Sequence, residues 1–343
     1  MAKLAVAMSG GVDSSVVAWL LREQGHEVLG LSLRLGSGPD HGWRRGARAA
    51  RQLGLPHQVV EVSEPFRQQV LQPVVATYAA GRTPNPCALC NARVKLPLLW
   101  RQARRLGCQA LATGHYVRLG RRDGRRVLCE ATYRRKSQAY FLARVEPELL
   151  AHLEFPLGEM TKDQVRALAR QAGLVAAESP ESQDACFLPP GGWDRLMEQF
   201  QAVRPGALED QAGRVLGYHQ GLHRFTVGQR RGLGLALGSP MYVLALDGER
   251  AAVKVGPAEG LMAQGLWAVA PRWYLPPEGG DDLMVRIRYA HSGVGCRLET
   301  AGGRLGVFFE RPQRAVAPGQ LAVFYRGETV VGSAWIDEAI NQA

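Results

Sequence analysis

Cysteine is scarce, with six in 343 residues, too few for a disulfide scaffold; free thiols in a reducing compartment are expected. Long apolar runs are missing: stretches such as Leu4–Met8 and Val16–Leu21 fall far short of the roughly 20 residues of a membrane span. The start, Met1-Ala2-Lys3-Leu4, runs straight into a strand-like segment without signal-peptide architecture, and a cytoplasmic protein is expected. Acidic residues are outnumbered, 31 Asp+Glu against 42 Lys+Arg, for a net charge of +11. Internal repeats are absent as well. Secreted, membrane-spanning and fibrous classes are thereby set aside. The 46% hydrophobic and 21% charged fractions are those of a globular chain of two to three domains.

The basic surplus is concentrated. Arg118, Arg121, Arg122, Arg125 and Arg126 crowd one Asp/Gly turn, Arg134, Arg135 and Lys136 follow, and Arg224, Arg230 and Arg231 sit among glycines. Arg286 and Arg288 read as one face of a late strand. Separate basic sites along the chain suit a long polyanion such as RNA.

Up to about residue 175, short apolar strands alternate with amphipathic helices: strands at Leu4–Met8, Glu27–Leu33, His57–Val62 and Ala110–Thr113, helices at Val16–Gln24, Trp43–Leu53 and Val94–Leu106. Such alternation predicts βαβ units and a parallel sheet, with ligands beyond the carboxyl ends of the strands. Helices are predicted at Thr161–Ala172, with Thr161 as N-cap, and at Trp193–Phe200. Past Arg204-Pro205-Gly206 the chain turns glycine-rich. Beyond Leu266 it is strand and turn, with Val285, Ile287 and Tyr289 alternating against Met284, Arg286 and Arg288, as a small closed β-barrel requires. The predicted organisation is α/β: a parallel-sheet nucleotide domain over 1–202, a small central domain over 203–262, and a C-terminal β-barrel over 263–343, the last two binding RNA.

Chemistry concentrates in the turn after the first strand, Ser9-Gly10-Gly11-Val12-Asp13-Ser14-Ser15, which leads directly into a helix. Backbone N–H groups and a helix N-terminus there favour an anion, and two glycines admit phosphate close to the main chain. The Gly-Lys-Ser/Thr of a Walker A loop is missing, so no lysine is expected to be aimed at a β/γ-phosphate. These residues resemble the pyrophosphate loop of the ATP pyrophosphatases, which have an adenine nucleotide alpha hydrolase-like fold and split ATP to AMP and pyrophosphate while adenylating a substrate oxygen. The resemblance implies that Asp13 helps hold Mg²⁺ on the pyrophosphate.

Two cysteines, Cys87 and Cys90, lie in Thr83-Pro84-Asn85-Pro86-Cys87-Ala88-Leu89-Cys90-Asn91, just before a predicted helix, where a thiolate is favoured. Cys186 lies in Ser182-Gln183-Asp184-Ala185-Cys186-Phe187. Cys108, Cys129 and Cys296, in apolar or strand context, read as packing residues. Further motifs are Gly81-Arg82-Thr83-Pro84, Ala112-Thr113-Gly114-His115-Tyr116, Lys136-Ser137-Gln138-Ala139-Tyr140-Phe141-Leu142, Phe225-Thr226-Val227-Gly228-Gln229-Arg230-Arg231-Gly232-Leu233-Gly234 and Ala317-Pro318-Gly319-Gln320. In this order they resemble the bacterial tRNA-specific 2-thiouridylases over almost the whole chain.

That resemblance implies ATP-dependent adenylation of the C2 oxygen of the wobble uridine in tRNAs for lysine, glutamate and glutamine, then sulfur transfer giving 2-thiouridine, AMP and pyrophosphate. A persulfide on Cys186 delivers the sulfur, and Cys90 is its nucleophilic partner. Ala7, Met8, Ser9, Gly10, Gly11, Val12, Asp13, Ser14, Ser15, Leu33 and Gly114 fall at nucleotide-binding positions. Asn85, Pro86 and Cys87 face the target base, and His115, Lys136, Ser137, Gln138, Arg288, Tyr289 and Gln320 contact tRNA. A cysteine desulfurase or sulfur relay protein is the implied donor. The sequence departs from the commoner family pattern at Cys87, usually Asp, and at Ser137, usually Asp. The stretch between Leu33 and Gly46 is also short. The first departure puts three cysteines in reach of one site, so a [4Fe-4S] cluster held by Cys87, Cys90 and Cys186 is an alternative route. A non-catalytic tRNA-binding protein and a small-molecule ligase are the competing classes.

Overall fold

A computed structural model describes residues 1–36, 41–178, 185–235, 238–277 and 282–341. The chain packs into two compact units, the first comprising Met1–Val70, Cys87–Phe187 and Glu328–Val330, the second Leu71–Pro86, Leu188–Gly327 and Val331–Ala343.

In the first unit, β1 (Lys3–Ala7) leads into helix α1 (Val12–Glu23), then β2 (Glu27–Arg34), helix α2 (His41–Gln52) and β3 (His57–Glu61). β4 (Ala110–Thr113), the hairpin β5 (Val117–Arg122) and β6 (Arg125–Glu130), and β7 (Leu153–Glu154) follow. β1 is apolar from Leu4 to Ala7, as a strand of a parallel sheet covered on both faces requires; Ala5 and Val6 are fully buried. The sheet runs β3-β2-β1-β4-β7, with Leu4 opposite both Val28 and Ala110. Strand order reverses between β1 and β4, so their carboxyl ends, at Met8 and Gly114, flank a topological switch point, where such sheets hold ligands. Val12, Val16 and Val17 of α1 pack with Val165 and Ala169 of the helix Lys162–Gln171 in one core. That helix is capped by Thr161 through a full capping box, its Oγ1 accepting from the Gln164 N–H at 3.3 Å while the Gln164 side chain accepts from the Thr161 N–H at 2.7 Å.

The second unit has two β cores. β8 (Gly206–Glu209), β9 (Val215–His219), β10 (Tyr242–Asp247) and β11 (Ala252–Gly256) form a sheet in the order β10-β11-β8-β9 around Leu208, Phe225, Val243, Val253 and Val255. β12 (Met262–Trp273), β13 (Leu283–Arg286), β14 (Val294–Ala301), β15 (Arg304–Arg314), β16 (Leu321–Arg326) and β17 (Thr329–Asn341) run β12-β15-β14-β13-β16-β17, and β12 pairs again with β17 to close the barrel. Closure pairs the two end strands of this run with each other. Its interior holds Leu266, Val285, Val307, Phe324, Val331 and Ile336, all fully buried. The predicted alternation through Tyr289 stops early. β13 ends at Arg286, Ile287 is still buried, but Arg288 and Tyr289 lie in the following turn and Tyr289 is 37% exposed.

Segment Leu71–Pro86 belongs to the second unit although the residues on both sides of it belong to the first. Thr83 N–H donates to the Pro318 carbonyl at 2.8 Å, Gln320 Nε2 donates to the carbonyls of Thr83 (3.3 Å) and Pro84 (3.0 Å), and Arg82 pairs with Asp337 at 2.8 Å. Gly81 has φ +69°, and a side chain there would press on the backbone of Leu246 and Gly248.

Candidate active site

The turn Ser9–Gly11 emerges from the carboxyl end of β1, and Gly11 is the N-cap of α1 with no side chain capping it. The serines are therefore not ordinary caps. Ser14 and Ser15 hydroxyls turn back onto the Gly11 carbonyl at 3.1 and 3.0 Å, and Ser9 N–H donates to Ser14 Oγ at 3.3 Å. This folds the loop on itself, and among the described residues no N-cap side chain takes up the first-turn amides of α1, a condition that favours anion binding. Gly10 takes φ +74°, and a Cβ there would strike the backbone of Arg45. Gly46 is equally confined, against Ser32 Oγ and the Met8 carbonyl, and a Cβ on Gly114 would sit 2.9 Å from Ser14 N. Three glycines from three segments thus admit the close backbone approach that the loop needs. Ala7, Met8, Val12, Ser14 and Ser15 are buried, Leu33, Gly10, Gly11 and Asp13 are partly buried, and Ser9 is exposed.

Asp13 is the charged centre of the loop. Tyr116 Oη donates to its Oδ1 at 2.7 Å, and Lys162 Nζ sits 2.7 and 2.8 Å from its two oxygens. Lys162 Nζ also lies 5.7 Å from the Tyr116 ring centre. Tyr116 is held in turn by Gln138, whose Oε1 accepts from Tyr116 N–H at 2.9 Å and whose own N–H donates to the Tyr116 carbonyl at 2.7 Å. Mg²⁺ commonly takes one or two carboxylates and completes its shell with substrate phosphates and water. A lone aspartate beside a phosphate loop fits that donor set.

The thiols are placed differently from the sequence expectation. Pro86–Cys90 is already helical and runs into Asn91–Lys95 and then Leu96–Arg105. Cys90 is buried, and burial pushes its thiol up to about 12, partly opposed by Lys95 and reinforced by Cys186 and Cys87. Cys87 has an exposed surface, yet the protein around it raises its pKa, with Cys186 adding to the shift and Lys95 opposing it. The expected thiolate preference at a helix start is overridden by the cost of placing a charge in low dielectric, the largest cause of both shifts. Cys186 is exposed, and its neighbour Phe187 packs edge-on against Phe66 at 5.2 Å. The residues Ser182, Gln183 and Asp184 lie outside the described set. Cys108, Cys129 and Cys296 are buried, as packing residues should be. Among the described residues no three His, Cys, Asp or Glu side chains are arranged to hold a metal ion, so the three cysteines as placed do not form a cluster-ligand set.

His115 is buried beside this group, its Nδ1 2.8 Å from Thr113 Oγ1 and its Nε2 3.4 Å from Lys95 Nζ. Burial first, and Lys95 second, hold its pKa well below the ordinary 6.5, so the ring is neutral. Ser137 is buried with its Oγ accepting from Ala131 N–H at 3.1 Å, while Lys136 is partly exposed. Ser137, Gln138 and His115, assigned to tRNA contact by resemblance, therefore face protein neighbours here. In the second unit Arg288 and Gln320 line one cavity of about 380 Å³ with Thr83, Thr226 and Arg314; Asn85 is buried, and Pro86 is partly exposed.

The arginine-rich turn is a tight hairpin. Asp123 and Gly124 have φ +48° and +74°, as a two-residue primed turn requires. Arg121 stands opposite Arg126 and Arg122 opposite Arg125. Arg126 pairs with Glu154 at 3.1 Å and Arg118 with Glu328, whereas Arg121, Arg122 and Arg125 are exposed at the tip.

Sequence reasoning missed Lys95, Tyr116 and Lys162. Lys162 was hidden because it lies 149 residues from Asp13, and a lysine beside a helix cap carries no signal of its own. No helix among the described residues is long and apolar enough to cross a membrane.

Comparison with known proteins agrees with this architecture. The family described as tRNA methyl transferase HUP domain matches residues 2–190, the corresponding PRC-barrel domain 194–257, and the aminomethyltransferase beta-barrel domain 263–336. The tRNA-specific 2-thiouridylase MnmA of Geobacter metallireducens is 44% identical over 363 aligned residues, covering 99% of this chain and 98% of that protein. The proteins of the same name from Magnetococcus marinus and Desulforudis audaxviator are each 45% identical, covering 97% and 99% of this chain and 98% and 100% of their own. Nearly end-to-end likeness at this level, on a fold with the glycine loop and cysteines in place, decides the matter: the chain belongs to the tRNA-specific 2-thiouridylase MnmA family.

Proposed function

We propose that this chain is a tRNA-uridine 2-sulfurtransferase that uses ATP and Mg²⁺ to convert the wobble uridine of tRNAs for lysine, glutamate and glutamine to 2-thiouridine. The observation that carries the reading is the presence, in one compact unit, of a glycine loop bearing Asp13 together with the buried Cys90 and the exposed Cys87 and Cys186.

Uracil C2=O has no leaving group. Its oxygen attacks the α-phosphorus of ATP, the bond to the β-phosphate oxygen breaks, and pyrophosphate departs on the loop amides of Ser9–Ser15, whose preorganised donors stabilise the charge that develops. Mg²⁺, held through Asp13 and the phosphates, supplies charge neutralisation when bound. The terminal sulfur of a Cys186 persulfide then attacks C2. Cys90 thiolate attacks Cys186 Sγ and breaks the S–S bond; the sulfur stays on C2, and AMP leaves with the former C2 oxygen. The two electrons that reduce the transferred sulfur come from the thiols, which end as a Cys90–Cys186 disulfide for a dithiol reductant to reset. The buried Cys90 is a neutral thiol at rest, and Lys95 is the cation that favours its ionisation. In this reading Asn85, Pro86 and Cys87 face the base, Lys136, Arg288, Tyr289 and Gln320 hold the tRNA, His115, Ser137 and Gln138 support that surface from within the protein, and a cysteine desulfurase or relay protein charges Cys186. The exposed arginines of the β5–β6 hairpin support a phosphate-rich substrate.

The test is mass spectrometry of nucleosides from unmodified tRNA after incubation with ATP, Mg²⁺, a cysteine desulfurase and cysteine. The wild type yields 2-thiouridine with AMP, and Cys186→Ser lowers the product on the order of 10³-fold or more while tRNA binding persists. Thiolation retained by Cys186→Ser refutes the persulfide assignment, as does iron with labile sulfide in anaerobically purified protein that is lost in Cys87→Ala.

A further inference from the structure

The glycine loop carries no lysine of its own, yet one reaches it in space. Lys162 opens the helix Lys162–Gln171, whose position is set twice: by the Thr161 capping box and by burial of Val165 and Ala169 in the same core as α1. Its ammonium lies 2.7 and 2.8 Å from the two Asp13 oxygens, and its side chain is only 13% exposed. Lysine is rarely withdrawn from water to this degree unless paired. Tyr116, locked by Gln138, closes the other side of Asp13 at 2.7 Å. The Asp13 carboxylate is also the group that fits Mg²⁺. A cation bound there with nucleotide takes the place now held by the ammonium, and the flexible Lys162 stem has the phosphate-binding loop beside it.

We propose that Lys162 is the phosphate-side cation of adenylation: it neutralises Asp13 while the loop is empty and pairs with the departing pyrophosphate once Mg²⁺ and ATP enter. The inference rests on the reading that adenylate transfer occurs on this loop. The bond changes remain those given above; the lysine transfers no proton, and its ammonium offsets the electron pair that leaves with pyrophosphate. It fills the role that a Walker A lysine fills from within its own loop, supplied here from a distant helix.

Calorimetric titration of the tRNA-free protein with Mg²⁺ and pyrophosphate, and separately with AMP, is the test, alongside ATP–pyrophosphate exchange with tRNA. Lys162→Gln is expected to weaken pyrophosphate binding by about tenfold or more and to leave AMP binding within about twofold, since AMP lacks the phosphates it serves. In exchange, kcat falls by roughly 10²–10³-fold while the KM for tRNA stays put. Lys162→Arg keeps the charge and retains pyrophosphate affinity within about threefold, and it decides the matter if Lys162→Gln does not fold. Pyrophosphate binding unchanged in a folded Lys162→Gln protein overturns the assignment and leaves a structural ion pair. Equal losses in folded Arg and Gln variants overturn it too. Wild type that binds Mg²⁺ and pyrophosphate through Lys162 but shows no exchange with any tRNA instead counts against the thiouridylase reading, so the two failures separate.

Discussion

The two compact units both bury polar side chains, but they do so on different plans. In the first, Ser14, Ser15, Thr113 and His115 are buried near the carboxyl ends of β1 and β4, where Gln138 holds Tyr116 onto Asp13 and Thr113 and Lys95 hold His115. In the second, buried histidines are scattered and each is held by a neighbour of its own: His219 Nε2 by the Ala251 carbonyl at 2.9 Å, His223 Nε2 by Asp194 at 2.6 Å, His291 Nε2 by Gln313 at 2.9 Å. Isolated polar groups, each tied to a single neighbour, anchor a fold. A network that converges on one carboxylate holds reacting groups in place, at a cost in desolvation that its partners offset.

If that contrast is right, the units respond differently to damage. The largest effect is expected from Phe324→Ala in the barrel, where a fully buried ring vanishes: about 3–5 kcal/mol of stability, read by denaturant unfolding, with Mg²⁺–pyrophosphate affinity at low temperature unmoved. A matching loss of that affinity breaks the division of labour. Next comes the hairpin tip. Changing Arg121, Arg122 and Arg125 together to Ala relieves like charge across the strands, so the fold should gain slightly, while the slope of log affinity for tRNA against log salt should shrink by roughly 2–3. An unchanged slope removes this hairpin from the RNA surface. The smallest effect is a pH dependence. His115 has a folded pKa well below its ordinary 6.5, so the unfolded chain binds the proton more readily. Its contribution to stability is present above about 6.5 and is lost as pH falls toward the depressed value, with a slope of up to about 1.4 kcal/mol per pH unit. His115→Gln should flatten the acid side of the profile measured by urea unfolding; an unaltered profile means that the ring is not held neutral.

What could be read in advance followed from contiguity. The phosphate loop was legible because its seven residues act on one backbone turn, and the Thr161 cap because its partner lies three residues on. The packing cysteines were legible from apolar neighbours. The end of β13 was misread because alternation of apolar residues continues past the last ladder pair at Arg286, where the chain turns and exposes Tyr289. The thiol pKa values were misread because a helix start and a buried helix start look alike in one dimension.

By itself the amino-acid order determined that a strand feeds a glycine turn and a helix, that the late segments are strands, and that family motifs recur in one register, since each depends on conformational preferences of neighbouring residues. Only the tertiary structure decided that Lys162 answers Asp13, that Lys95 stands between His115 and the thiols, that Gln320 ties down Thr83 and Pro84, and that Cys90 rests protonated. Those outcomes turn on which distant groups share a low-dielectric space, and both charge pairing and proton affinity are set there by distance and lost water rather than by position along the chain.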